Sequence, residues 1–189
     1  MSKSISSTND QQLIQQVLAG RVESFGLLVQ RYQDRLFNGM VPILRSEPEA
    51  EDIVQEAFVL AFTKLDSFQG NSAFFTWLYR IAYNLAISRL RRRRGGVSLD
   101  SQREKTGFDL PDVSASPSSN LEQQERIELV HEALGKLSEE HRSILVLREM
   151  QELDYEAISE ILDLPIGTVR SRLHRAREQL REQLNLIDH

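Results

Sequence analysis

The stretch that most limits how this chain can fold is Asp154 to Arg181, DYEAISEILDLPIGTVRSRLHRAREQLR. Its apolar residues recur at helical spacing on both sides of Asp163-Leu164-Pro165, so it reads as two short helices joined by a tight turn. Asp154 caps the first helix, and Glu156 places a carboxylate at the positive end of the helix dipole. Ala157, Ile158, Ile161 and Leu162 make its buried side. In the second helix Ile166, Val169, Leu173, Ala176 and Leu180 share one face. At about 100° per residue, Gly167, Ser171, His174 and Arg175 fall opposite, flanked by Arg170 and Arg172. That is the layout of a helix-turn-helix whose second helix enters a major groove. A solvated amphipathic helix would place its charges similarly; the turn, the glycine and the arginine-rich face together favour DNA.

The remainder of the chain narrows the class. Its 189 residues suit one domain or two small helical ones. No apolar run approaches the roughly 20 residues that span a bilayer, and the N-terminal MSKSISSTNDQQ has no signal-peptide core, so a cytoplasmic location without membrane insertion is expected. With zero cysteines, disulfides and thiolate metal sites are excluded. The net charge of −5 argues against a generally basic nucleic-acid coat. DNA contact must come from local clusters: Arg89 with Arg91 to Arg94, and the arginines from 170 to 181.

Taken in order, residues 1 to about 9 are polar and expected to be disordered. Leu13, Ile14, Val17 and Leu18 mark a short helix that Gly20 closes. A longer helix carries Phe25, Leu28, Val29, Tyr32, Leu36 and Met40 on one stripe, and Pro42 should bend or end it. Ser46 opens a third helix through the spacing Ser46-x-x-Glu49, running to about Asp66. Its buried side is Ile53, Val54, Ala57, Phe58, Ala61 and Leu65; its other side carries Asp52, Gln55, Glu56, Val59 and Thr63. The acidic start suits the helix dipole and solubility, but Val59, apolar amid polar neighbours, fits a partner surface.

Ser72 is a candidate cap for a fourth helix, in which Phe74, Leu78, Ile81 and Leu85 are the expected buried stripe. Five of the chain's 13 aromatic residues (Phe74, Phe75, Trp77, Tyr79, Tyr83) lie between positions 74 and 83, more than one stripe accommodates. Rings beside Arg80 and Asn84 suit stacking on unpaired bases, worth about 1–3 kcal/mol each, although helix packing accounts for such rings as well. Arg91 to Arg94 then read as a phosphate-seeking tail. Residues 95 to 120 are rich in Gly, Ser, Pro and Asp without periodicity and form a linker. Fully extended, its roughly 25 residues reach about 85 Å. A second domain begins near Leu121, with Ile127, Val130, Leu134 and Leu137 on one stripe and Ser138 capping a helix that carries Ile144, Leu145 and Leu147. The fold expected is therefore all-α: two small helical domains, 1–94 and 121–189, joined by a flexible linker, 95–120, with the helix-turn-helix in the second.

Catalytic constellations are missing. His131, His141, His174 and His189 are scattered, Glu128-x-x-His131 is half of a carboxylate-bridged metal motif without its second half, and no Walker loop, GxSxG or HExxH occurs. No enzyme activity, metal or cofactor is expected.

DIVQEAF at 52–58, TWLYRIAYN at 76–84, the linker and LPIGTVRSRLHRAR at 164–177 together resemble bacterial RNA polymerase sigma factors of the extracytoplasmic-function class. The resemblance covers both domains. It implies a factor that binds core RNA polymerase, directs promoter-specific initiation on duplex DNA and stabilises the melted strand. By the same resemblance Asp52, Gln55, Glu56 and Val59 dock on the polymerase. Asn71 and Ser72, with Trp77, Tyr79, Arg80, Tyr83 and Asn84, serve the minus-ten element. Gly167, Thr168, Arg170, Ser171, Arg172, His174 and Arg175 serve the minus-thirty-five element, with Arg172 nearer phosphate. An anti-sigma factor is a further partner that the family commonly has. A dimeric helix-turn-helix regulator that binds without polymerase, and a helical adaptor with no DNA role, are the readings left beside it.

Overall fold

The computed structural model describes residues 9–96 and 129–187. The N-terminal stretch, nearly all of the linker, Ile127, Glu128 and the expected start of the second domain lie outside the described residues. Among those described, the regular structure is helical. The first unit holds α1 (Asp10–Leu18), α2 (Glu23–Leu44), α3 (Glu47–Thr63) and α4 (Phe74–Gly96). The second holds α5 (residues 129–136), α6 (Glu139–Leu145), α7 (Tyr155–Leu162) and α8 (Ile166–Ile187).

Local chemistry sets most boundaries. The Asn9 side chain accepts from the Gln11 amide at the start of α1, and Gly20 turns the chain out of it at φ 94°. α2 runs through Pro42 to Leu44, two residues further than a proline stop predicts. Pro42 sits in the last turn, where one bond to the Asn38 carbonyl is forgone, and Val41 to Leu44 are all buried there. Arg45 ends the helix in the left-handed region, its amide donating to Val41 O at 2.7 Å. Ser46 caps α3 by accepting from the Glu49 amide, and the six residues expected on its buried side are all buried. The helix stops at Thr63, three residues short of expectation, and a tighter turn, Leu65–Ser67, completes the segment.

α4 is the central element, lying against α2 and α3 on one side and α7 on another. Its buried line is Phe75, Leu78, Tyr79, Ala82, Ala86 and Leu90, with Phe74 and Thr76 also inside. Ile81 and Leu85, expected within, are only half-buried. A helix covered from two sides has no single stripe for periodicity to find. Ala82 and Ala86 let neighbouring backbones approach, and Arg35 lies over the Phe75 ring with Cζ 4.1 Å from its centroid. Ser72 does not cap α4: the Trp77 amide donates to the Ala73 carbonyl.

The second unit follows its sequence closely. Ser138 caps α6 and Asp154 caps α7, whose Ala157 amide donates to Asp154 Oδ1 at 2.8 Å. A wider, π-type turn, Val146–Met150, ends the α6 segment. Asp163 at φ 53° closes α7, and the chain turns through Pro165 into α8. Ile158, Ile161, Val169, Leu173 and Ala176 are buried as expected; Ile166 and Val130 are exposed.

The two units share one apolar core. The Arg35 guanidinium donates to the Gln151 carbonyl at 2.6 Å. Arg142 donates to the Leu134, Gly135 and Leu137 carbonyls and reaches across to Ile43 O at 3.4 Å. Burial, with the Arg45 guanidinium nearby, lowers its pKa from the ordinary arginine value.

Tyr79 is 0% exposed, with its hydroxyl donating to Gly39 O at 3.2 Å and burial driving its pKa upward. A Cβ at position 39 would stand 2.6 Å from that hydroxyl oxygen. Gly39→Ala should therefore destabilise the chain by about 1–3 kcal/mol, measured by urea denaturation, as overpacked cores do.

Candidate nucleic-acid and partner-docking interface

Asp52, Gln55, Glu56 and Val59 all stand exposed on one face of α3. Val59 is 65% exposed and forms one lip of an apolar groove of about 540 Å³ with Val22, Phe25, Val29, Phe58 and Phe62. The α2 wall of that groove arises from helix pairing and has no local signature in the sequence. The acidic face is also not bare of cations. Arg89 reaches Asp52 at 3.1 Å and Glu56 at 3.7 Å, and Arg93 reaches Glu49 at 3.5 Å. Arg94 meets Glu139 of the second unit at 3.1 Å. The run Arg91 to Arg94 is thus no free tail: α4 carries it to Gly96 antiparallel to α3, and Arg93 and Arg94, like Arg89 before them, face carboxylates. Exposed pairs of this kind contribute about 0–1 kcal/mol each, so a stronger partner displaces them readily.

The candidate strand-capture residues are only partly brought together. Asn71, Arg80 and Asn84 are exposed, and Gly70 turns the preceding loop at φ 72°. Trp77 is half-buried against Phe68 and Phe74, with ring centroids 5.2 and 5.9 Å away. Tyr79 is removed from the set, because its ring lies wholly in the core beneath Gly39. Tyr83 is half-buried toward the second unit, where Glu139, Glu140 and Arg172 act on its hydroxyl; burial is the main reason its pKa is raised. Ser72 donates to Glu160 Oε1 of α7 at 2.9 Å. The loop and α7 are therefore tied to one another in this arrangement.

On α8 the expected outward face is outward. Gly167, Arg170, Ser171, His174 and Arg175 are exposed, with Thr168 half-buried beside them. Ser171 Oγ donates to Thr168 O at 3.1 Å, which holds the hydroxyl against its own helix. His174 lies 3.4 Å from Glu178. Arg172 is drawn back to Glu140 at 3.3 Å, and Arg177 to Glu149 at 2.7 Å. Arg170 instead lies over the Tyr155 ring, as does Arg148. Neither Tyr155 nor Arg148 was marked by periodicity, since the turn that brings them to α8 is tertiary. Among the described residues no cluster of His, Asp or Glu suits a metal, and no helix is long and apolar enough to cross a membrane.

Residues 28–95 match the family model described as Sigma-70 region 2, and residues 127–180 match Sigma-70, region 4. The chain is 39% identical over 186 residues to the RNA polymerase sigma-H factor of Pseudomonas aeruginosa, covering 95% of this chain and 96% of that protein. It is 40% identical over 177 residues to the ECF RNA polymerase sigma-E factor of Escherichia coli K12, covering 90% and 92%. It is 38% identical over 176 residues to the ECF RNA polymerase sigma factor SigW of Bacillus subtilis, covering 90% and 94%. Among solved structures, it is similar to the sigma factor RpoE from Bartonella quintana in complex with the anti-sigma factor NepR, with TM-score 0.73, 27% identity, and 86% and 98% of the two chains covered. CnrH in complex with the cytosolic domain of CnrY superposes with TM-score 0.67 at 27% identity, covering 92% and 96%.

Glu160→Ala leaves the Ser72 hydroxyl without its acceptor and should cost at most about 1 kcal/mol of stability. Amide exchange in residues 69–73 should speed up more than exchange in α2; equal changes in both would show that the contact does not hold the loop.

Proposed function

The chain belongs to the ECF class of RNA polymerase sigma factors, and from that premise we propose how its residues divide the work of promoter-specific initiation. The factor binds core RNA polymerase, carries it to a two-part promoter and stabilises a melted strand. The polymerase supplies all nucleotide chemistry. Residues 1–94 are the docking and minus-ten unit, 95–120 the linker, and 121–189 the minus-thirty-five unit.

In this reading Asp52, Gln55 and Glu56 offer acceptors to cationic groups of the polymerase, while Val59 and the groove beside it take an apolar side chain. Their shared exposure on α3 supports the assignment. Asn71 and Ser72 on the loop, with Arg80 and Asn84 on the outer side of α4, meet unpaired bases and the strand backbone. Trp77 and Tyr83 flank them and keep part of each ring accessible. Tyr79 serves only by fixing α4 in place. Because Ser72 is bonded to Glu160, loop and α7 must part before the loop meets a base.

The observation that carries the reading is the two-sidedness of α8. Val169, Leu173 and Ala176 are buried, while Gly167, Arg170, Ser171, His174 and Arg175 face outward from a helix entered by a tight turn. A helix so held can lie in a major groove, with Arg170 and Arg175 for base edges and Thr168 and Arg172 for phosphates. An anti-sigma factor completes the proposed partners. It is supported by the Bartonella relative, solved with one.

Run-off transcription with core polymerase across a promoter library tests the whole reading; no template-dependent initiation would overturn it. Arg175→Ala should weaken promoter-specific binding roughly 5- to 150-fold, the equivalent of about 1–3 kcal/mol of base discrimination, while sparing polymerase association. Asp52→Lys with Glu56→Lys should abolish co-purification with core polymerase, whereas DNA binding by α8 persists in a mobility-shift assay.

A further inference from the structure

We propose that Tyr155 is a positioning residue for promoter reading: its ring holds the Arg170 guanidinium at the groove-facing start of α8. The proposal rests on the reading of α8 as the helix that meets duplex DNA. Tyr155 opens α7, and its ring packs half-buried against the core. The Arg148 Cζ lies 5.3 Å from the ring centroid and the Arg170 Cζ 5.7 Å from it. Arg148 is itself anchored, with Nη1 donating to the Leu153 carbonyl at 2.8 Å. The assembly thus combines an anchored arginine, a half-buried ring and an exposed reader.

The contrast with the neighbouring arginines gives the arrangement its meaning. Arg172 and Arg177 lie 3.3 and 2.7 Å from the carboxylates of Glu140 and Glu149, which compete with a base or phosphate for their N–H groups. A ring attracts a guanidinium through its π face and occupies no N–H donor. The donors lie in the guanidinium plane and stay available for the paired acceptors on a guanine edge. A long side chain restrained before binding also has less rotamer freedom to lose when it binds. Tyr155 therefore acts through Arg170, with no contact of its own to the base.

The test uses the full chain with core polymerase and run-off transcription on templates varied base by base in the upstream element. Tyr155→Phe, which keeps the ring and loses the hydroxyl, should reproduce the wild-type profile. Tyr155→Leu should lower initiation about two- to fivefold, the size of an exposed cation–π contact. That loss should fall at the same template position as the loss in Arg170→Ala, and it should vanish when Tyr155→Leu is placed in the Arg170→Ala background. Circular dichroism checks folding, and Tyr155→Met replaces the leucine variant if that one melts early. If Tyr155→Phe loses as much as Tyr155→Leu, the hydroxyl is the active group and the proposal is overturned. A leucine loss that persists undiminished without Arg170 overturns it too. An Arg170→Ala profile identical to wild type removes Arg170 as a reader and overturns the proposal, while the reading of α8 is judged separately by Arg175→Ala; an Arg170 loss that the ring does not share removes the stack alone.

Discussion

The burial of α4 between two sets of neighbours is the constraint on which the rest of the structure depends. Leu78, Ala82 and Ala86 are wholly buried along α4, and Gly39 of α2 must lack a side chain where Tyr79 passes. On another side α7 lies against the same helix, so the second unit is seated on the first through one continuous core. Arg35 and Arg142 satisfy backbone carbonyls along that seam, which an apolar contact alone would leave dehydrated and unpaired. Everything exposed on α3, the 69–72 loop and α8 is displayed relative to this one buried rod.

The parts of the molecule legible in the sequence are those whose reasons are local. Ser46, Ser138 and Asp154 cap the helices they precede, because a side-chain oxygen within three residues of a free amide needs nothing from the rest of the fold. α3 and α8 each bury one face, so their apolar periodicity maps onto burial except at the two ends of the α8 stripe, where Ile166 is exposed and Leu180 half-buried. The exposure of the α3 acidic face and of the outer face of α8 follows from the same periodicity. The family is likewise legible in contiguous runs of residues, and Sigma-70 regions 2 and 4 match residues 28–95 and 127–180.

What stayed hidden depended on partners far along the chain. Ser72 has the right spacing for a cap, yet its hydroxyl is taken by Glu160, 88 residues away. Tyr79 belongs to an aromatic cluster that suits base stacking, but its position under Gly39 is decided by how α2 crosses α4. Arginines 89, 93 and 94 look unopposed in the sequence until antiparallel pairing sets them beside the start of α3 and Glu139. Pro42 signals a stop, but a proline in a final turn forgoes a single bond, and burial of the residues around it outweighs that loss.

The Arg89 bridge to Asp52 and Glu56 bears on the ionic-strength dependence of the proposed docking at this face. A cationic partner group that takes these carboxylates replaces one ion pair with another. Salt screens the internal pair and the intermolecular pair alike, and the net response is their difference. An acidic face presented bare would lose affinity steeply with added salt; one already bridged from within loses it gradually. In the proposed docking, specificity then comes chiefly from shape at the apolar groove, which screening does not reach.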